Sequence, residues 1–280
     1  MCVFVAHTPQ KIIMTISHRS FQATPAFAAQ CFDLIDSHKR RKDVDFYVNE
    51  LLRIGGNALE LGCGTGRVLF PVARAGIHVH GLEISEHMLS VCQSTLAVES
   101  AFVQSRVEIS QGDMRSFELP KRFNTVIIPF RSLQVLCSDS EQIFCLTSVA
   151  KHLKQGGYLI FDVGPSINSF LNYNADAVFR EEPNIGIVDG FMVSVFYRIA
   201  NVDETSRTVM HETVYKFHDT HKGDYENIHS IQMHYFYDYE LEKLLTSCGF
   251  NVVKKYKDFK HSPYDTKANS DLIIVARKCA

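Results

Sequence analysis

The residues best placed to do chemistry are three acids and three glycines. Glu60, Glu83 and Asp113 stand at or just past the ends of three apolar runs, and Gly62, Gly64 and Gly66 occupy every second position after Glu60. Ala58, Leu59 and Leu61 read as a short buried strand with Glu60 set near its carboxyl end. The glycines lack β-carbons, so the backbone can turn sharply and a flat ligand can lie against it. A helix expected from Arg67 to Ala75 points its amide-rich amino terminus at the same place.

Spacing separates the ligand classes that use such loops. A phosphate-cradling loop needs Gly-Lys-Ser/Thr at its end, and no lysine follows here. The dinucleotide fingerprint, counted from Gly62, puts Arg67 where its third glycine belongs. Glu-x-Gly-x-Gly-x-Gly remains. In an open α/β sheet, ligands sit outside the carboxyl ends of the strands, where all three acids fall. An acid after the second strand can accept both ribose hydroxyls of an adenosine, one after the third can accept from an adenine amine, and Glu60 suits an ammonium. Those are the polar handles of S-adenosylmethionine.

The elements that carry these residues follow in order. Two helices, Ala26 to Asp36 and Val44 to Ile54, precede the first strand, with Lys39-Arg40-Arg41-Lys42 between them as a solvated turn. Strands at Ile77–Leu82, Arg106–Ile109, Asn124–Ile128 and Tyr158–Val163 alternate with helices, among them Glu86–Val98, capped by Ser85, and Asp139–Leu153. This rhythm implies a doubly wound, mostly parallel, Rossmann-like sheet. Past Pro165 the pattern becomes an antiparallel meander of three strands, Phe191–Ala200, Thr208–Phe217 and Ile228–Tyr237. A helix through Leu241–Leu245 and strands Asn251–Tyr256 and Leu272–Ala276 close the chain. The expected organisation is an unassigned tail over 1–25, a core over 26–164 and 238–280, and a lid inserted at 165–237.

The chain resembles a class I S-adenosylmethionine-dependent methyltransferase of the small, stand-alone bacterial type, from about Asp43 through Arg277. The matching stretches are the glycine loop, Gly-Leu-Glu-Ile-Ser (81–85) with Met88-Leu89, Gln-Gly-Asp-Met-Arg (111–115) and Leu-Lys-Gln-Gly-Gly-Tyr-Leu-Ile-Phe-Asp (153–162). The resemblance implies seven strands with the last antiparallel, and the meander as a lid over the substrate. It implies S-adenosylmethionine contacts at Glu60, Gly62, Gly64, Gly66, Glu83, Ile84, Asp113, Met114 and Pro129. Arg67 can bind a carboxylate, but on its helix it is expected to face solvent.

Methyl transfer is an in-line displacement, for which positioning alone can supply ~7–11 kcal/mol of the barrier. Pro129-Phe-Arg-Ser-Leu-Gln134 follows the fourth strand on the substrate side. It matches neither the Asn/Asp-Pro-Pro-Tyr/Phe of nucleic-acid amino methylation nor the Pro-Cys of cytosine methylation. Many small-molecule relatives carry His near Gln134 and Tyr at Phe32, so no catalytic base is assigned. Candidate substrate contacts are Phe32, Phe130, Arg131, Gln134, Tyr197, His211 and His234. The reading is methylation of N, or O, of a small metabolite; a protein or RNA substrate and a catalytically silent cofactor-binding protein stay open.

Composition bounds the rest. With 280 residues, 46% hydrophobic, 21% charged and a formal charge of -2, the chain has no general attraction for nucleic acid. Its eight cysteines are scattered without metal-binding spacing, and no metal is expected. No apolar run is long enough to cross a bilayer. A cytoplasmic protein with reduced thiols is expected, and monomer and homodimer are both open.

Overall fold

The computed structural model describes residues 13–14, 26–165, 169–170, 178–188, 191–218, 225–265 and 270–279. In chain order the elements are β1 (Ile13–Met14), α1 (Ala26–Phe32), α2 (Asp36–Arg40), α3 (Asp43–Ile54), β2 (Ala58–Leu61), α4 (Leu69–Arg74), β3 (Val79–Glu83), α5 (Glu86–Val98), α6 (Ala101–Gln104), β4 (Val107–Gln111) and β5 (Phe123–Ile128). A 3₁₀ turn (Ser132–Val135) leads to α7 (Asp139–His152), β6 (Leu153–Val163), β7 (Val178–Val188), β8 (Phe191–Asp203), β9 (Thr208–His218), β10 (Tyr225–His234), α8 (Asp238–Ser247), β11 (Phe250–Tyr256) and β12 (Leu272–Lys278).

Seven strands form the main sheet in the order β11-β12-β6-β5-β2-β3-β4, with only β12 antiparallel to its neighbours. Strand alternation gives the sheet two apolar faces. Leu59, Leu61, Val126, Ile128, Leu159 and Phe161 pack on one side with Leu146 and Val149 of α7 and Leu241 and Leu245 of α8. Ala58, Ile127 and Ile160 pack on the other with Phe46 and Tyr47 of α3 and with Leu69 and Val72 of α4. Covering both faces is what a parallel sheet requires. The chain leaves β2 for β3 and β4 on one side and returns to β5 and β6 on the other, so the switch point lies between β2 and β5.

The second sheet runs β1-β10-β9-β8-β7. The three expected strands are β8, β9 and β10, and two more extend them. β7 escapes the alternation test because Arg180-Glu181-Glu182-Pro183 breaks the period, and its ladder with β8 slips between Glu182 and Gly186. β1 is only two residues, paired in parallel with Ile228 and His229; the rest of the first 25 residues, and the turn at Lys222-Gly223-Asp224, lie outside the described residues.

The segment before β2 differs from expectation in a way that matters below. It holds three helices rather than two, and the basic run is not simply a solvated turn. Lys39 and Arg40 are exposed, but Arg41 turns inward with only 16% of its side chain accessible. Among the described residues, no helix is long and apolar enough to cross a membrane.

Candidate active site

One cavity of about 1050 Å³ lies between the carboxyl ends of β2, β3 and β5, the segment around α2, and the inner face of the second sheet. Its floor is the glycine loop, where Gly62, Gly64 and Gly66 all have positive φ (67°, 56° and 95°). At Gly66 a β-carbon would also run into the Phe70 ring, so the loop needs glycine there for space as well as conformation.

Two acids face this floor in different states. Glu83 is held by backbone, with acceptor capacity left on Oε2: its Oε2 accepts from Gly64 N at 2.9 Å, and its Oε1 accepts from Ile84 N and Ser85 N, each at 2.9 Å. Ser85 in turn caps α5 by accepting from Met88 N. Glu60 is different. It is 2% exposed, and its Oε2 has no hydrogen-bond partner among the described residues. Burial drives its pKa well above the usual carboxylate range, with Arg67 pulling the other way. A buried, unsatisfied carboxylate is costly unless a cation meets it. The orphaned oxygen beside an open glycine loop fits the ammonium of S-adenosylmethionine, and Glu83 beside Gly64 fits the ribose.

Behind the loop runs a chain of ion pairs. Arg67 grips Asp43 with two parallel bonds of 2.8 and 2.6 Å. Asp43 also accepts from Arg41 Nε at 3.2 Å, while Arg41 Nη2 donates to Asp162 at 2.6 Å and to Asp271 at 3.3 Å. Asp271 accepts from Arg131 at 2.5 Å, and the Tyr47 hydroxyl donates to Asp162 at 2.7 Å. Three arginines and three aspartates thus balance along one wall, tying the segment before α3 to the loop and to the ends of β6 and β12. Arg67 therefore does not face solvent as expected, because the buried carboxylate of Asp43 draws it inward.

The segment after β5 is strained. Phe130 and Arg131 follow Pro129 with φ of 59° and 61°, left-handed values that cost about 1–3 kcal/mol each for residues with side chains. Bonds from both ends hold them: Phe130 N donates to Asp162 Oδ1 at 2.9 Å, and Arg131 is paired with Asp271. The effect is to turn both side chains into the cavity. Phe130 lies under the guanidinium of Arg67, 4.8 Å from the ring centre, and that of Arg41, 5.3 Å away.

The opposite wall is aromatic and imidazole. Tyr197, Thr213 and His229 form one row across β8, β9 and β10, and Ile199, His211 and Ile231 the next. His211 Nε2 lies 2.6 Å from the Tyr235 hydroxyl. Burial, then the nearby Arg131, lowers the His211 pKa to about 4, and burial lowers that of His229. Both imidazoles are neutral near pH 7.

Of the candidate substrate contacts, Phe32, Phe130, Arg131, Tyr197 and His211 line the cavity; Gln134 and His234 do not. Gln134 is fully buried, its Nε2 donating to the His234 carbonyl at 2.6 Å and its Oε1 accepting from Gly164 N at 2.7 Å. His234 sits on the other face of β10, packed against Phe236. Of the cofactor candidates, Glu60, Gly62, Gly64, Glu83 and Pro129 line the cavity, whereas Gly66, Ile84, Asp113 and Met114 lie outside its wall. Asp113 is held by Arg115 through its backbone and guanidinium, bonds that outweigh burial and lower its pKa. Met114 reaches back so that its methyl lies 3.7 Å from where a Gly62 β-carbon would be.

Sequence reasoning missed His38, Arg41 and Arg67 in the wall. Asp43 and Asp162, at the ends of the stretches quoted above, were the available signal that buried cations stand nearby. Nothing marked His38.

A methyltransferase domain family matches residues 58–157. The chain is 27% identical over 241 residues to YqeM of Bacillus subtilis, named as a methyltransferase, covering 82% of this chain and 88% of that one. It is 28% identical over 198 residues to dTDP-3-amino-3,4,6-trideoxy-alpha-D-glucopyranose N,N-dimethyltransferase of Streptomyces venezuelae, covering 69% and 75%. The fold is shared with the CcbJ methyltransferase from Streptomyces caelestis, at a TM-score of 0.75 and 22% identity over 90% of this chain and 96% of that one. With the strand order, the glycine loop and the orphaned Glu60, these likenesses support a class I S-adenosylmethionine-dependent methyltransferase.

Proposed function

We propose that the protein methylates an amine nitrogen of a small metabolite, and that the insertion at 165–237 is the lid that encloses it. The observation that carries this reading is the single cavity joining the orphaned Glu60 carboxylate to a wall of uncharged imidazole and aromatic groups. About 1050 Å³ is at the upper end of ligand pockets, room for a cofactor and a second small molecule rather than a macromolecular surface. When bound, S-adenosylmethionine supplies an electrophilic methyl group on a sulfonium. Glu60 would hold its ammonium, Glu83 its ribose, and Gly62 and Gly64 would let it approach the backbone.

The arginines on the substrate side are paired. Arg41, Arg67 and Arg131 are matched by Asp43, Asp162 and Asp271, and Arg180 by Glu182. An amine entering such a wall loses water, which favours its uncharged, nucleophilic form. The relative that acts on an amino sugar supports nitrogen over oxygen.

The test is methyl transfer from [methyl-¹³C]S-adenosylmethionine to methyl 3-amino-3-deoxy-α-D-glucopyranoside, to its 3-hydroxy counterpart, and to pooled cellular amines. N-methyl products from at least one amine are expected. Cofactor binding by calorimetry with label appearing only in protein or RNA, or in nothing, would remove the proposal in favour of a macromolecular or silent role.

A further inference from the structure

His38 belongs to α2 and lines the cavity between two aromatic rings, 4.4 Å from Phe32 and 5.0 Å from Phe130 between centroids. Its Nδ1 lies 3.0 Å from the Phe32 carbonyl oxygen. A carbonyl only accepts, so Nδ1 carries the hydrogen, and in the neutral ring Nε2 is a bare lone pair on the opposite edge. No described residue hydrogen-bonds that Nε2.

The ring is also kept neutral. Burial, opposed by the Phe32 carbonyl and assisted by Arg67, lowers its pKa to about 4. The charged groups acting on it come from two elements, Arg67 after the glycine loop and Arg180 with Glu182 on β7. Tautomer and charge are thus both set by the protein, and the result is an acceptor that donates nothing into the cavity. Its neighbour Phe130 carries Arg67 on its ring, and Arg67 is the cation acting most strongly on Glu60. His38 therefore stands one aromatic ring away from the cofactor end of the site.

Building on the amine reading, we propose that His38 Nε2 is a specificity-determining contact that accepts a hydrogen bond from the substrate's N–H. Holding that hydrogen fixes the direction of the nitrogen lone pair. An imidazole with so low a pKa orients the amine rather than keeping its proton. The acceptor must then present at least one N–H, so methylation stops at the tertiary amine and no quaternary ammonium forms.

The decisive experiment is a long-range ¹H–¹⁵N spectrum of the full chain with [ring-¹⁵N]histidine, the His38 signals assigned by their loss in His38→Gln. At pH 7 they should show the Nδ1–H tautomer, and methylamine should move the Nε2 resonance while tetramethylammonium, which has no N–H, leaves it in place. This readout needs no turnover, so it stands apart from the proposed function. With any amine that is turned over, His38→Phe should lower kcat/KM about tenfold, the worth of one hydrogen bond, and His38→Gln should recover part of it. Cofactor affinity should be unchanged in both. A protonated Nε2 at pH 7, an Nε2 unmoved by saturating methylamine, a quaternary product, or wild-type kcat/KM in His38→Phe would each overturn the assignment.

Discussion

The two long walls of the cavity solve the problem of holding polar groups out of water in opposite ways. On the sheet side, Arg41, Arg67 and Arg131 interlock with Asp43, Asp162 and Asp271 through direct bonds, and the Tyr47 hydroxyl and the Phe130 amide both donate to the other oxygen of Asp162. On the side of the second sheet the Arg180–Glu182 pair is confined to β7, and across β8, β9 and β10 His211 and His229 are neutral among Tyr, Thr and Ile side chains. A charged wall of this kind is stiff, because each charge is trapped by its partners. A neutral wall can trade its few hydrogen bonds for contacts with a guest. Under the proposed function, the comparison places stability on the main-sheet side and selectivity on the second sheet together with His38.

The largest effect should come from cutting the charged wall at its hub. Arg41→Met leaves Asp162 buried with Tyr47 and the Phe130 amide but no cation. Removing one partner of a buried pair costs about 3–5 kcal/mol. Urea denaturation should show that loss as a lower midpoint with the slope retained. A loss below about 1 kcal/mol would mean that the network is solvated after all, and the contrast between the walls would disappear.

A smaller and two-signed effect is expected at Glu60, where the charged wall is incomplete. Its raised pKa means that folding without cofactor favours the protonated form, so this group's contribution to stability falls as pH rises from the unfolded carboxylate value toward the folded one. Glu60→Gln removes that penalty, and the empty protein should melt no lower than wild type at pH 7. Binding should move the other way: loss of a charge-assisted bond to an ammonium weakens S-adenosylmethionine by about 1.5–3 kcal/mol, read by calorimetry. Wild-type binding should itself weaken as pH is lowered and Glu60 takes up its proton. An empty variant that is clearly destabilised would make Glu60 a structural acid.

How far each wall was legible in the sequence follows from the same contrast. Glu60 and the glycines lie within seven consecutive residues, and Glu83 ends the next parallel strand, so spacing and the strand–helix–strand rhythm brought them to one place. The ion chain joins residues up to 230 positions apart, Arg41 with Asp271. Local pattern could say only that acids and bases were present there, and the basic run was misread because charge without a partner in view looks like surface. On the second sheet, alternation puts His211, Thr213 and Tyr215 on one face, but which face meets the cavity depends on the register with β8 and β10. His234 fell on the far face for that reason, and Gln134 was spent bridging Gly164 to β10, a long-range backbone need that has no sequence signature.

The smallest effect should separate the walls most cleanly. Tyr235→Phe removes the hydroxyl that meets His211 Nε2 at 2.6 Å and nothing else. One neutral hydrogen bond is worth about 0.5–1.5 kcal/mol, well under the loss at Arg41. Between pH 7 and 8 the difference from wild type should be constant, since burial holds the imidazole at about 4 and raises the tyrosine above its ordinary value, so neither titrates there. Below about pH 6.5 the unfolded imidazole takes a proton that the folded one refuses. Wild type and variant should therefore both lose stability as pH falls from 6.5 toward 4, by up to about 1.4 kcal/mol per pH unit for each such imidazole. If wild type instead lost stability more steeply than the variant as pH rose through 7–8, His211 would be charged in the folded protein. The lid wall would then be a second electrostatic wall rather than a neutral one.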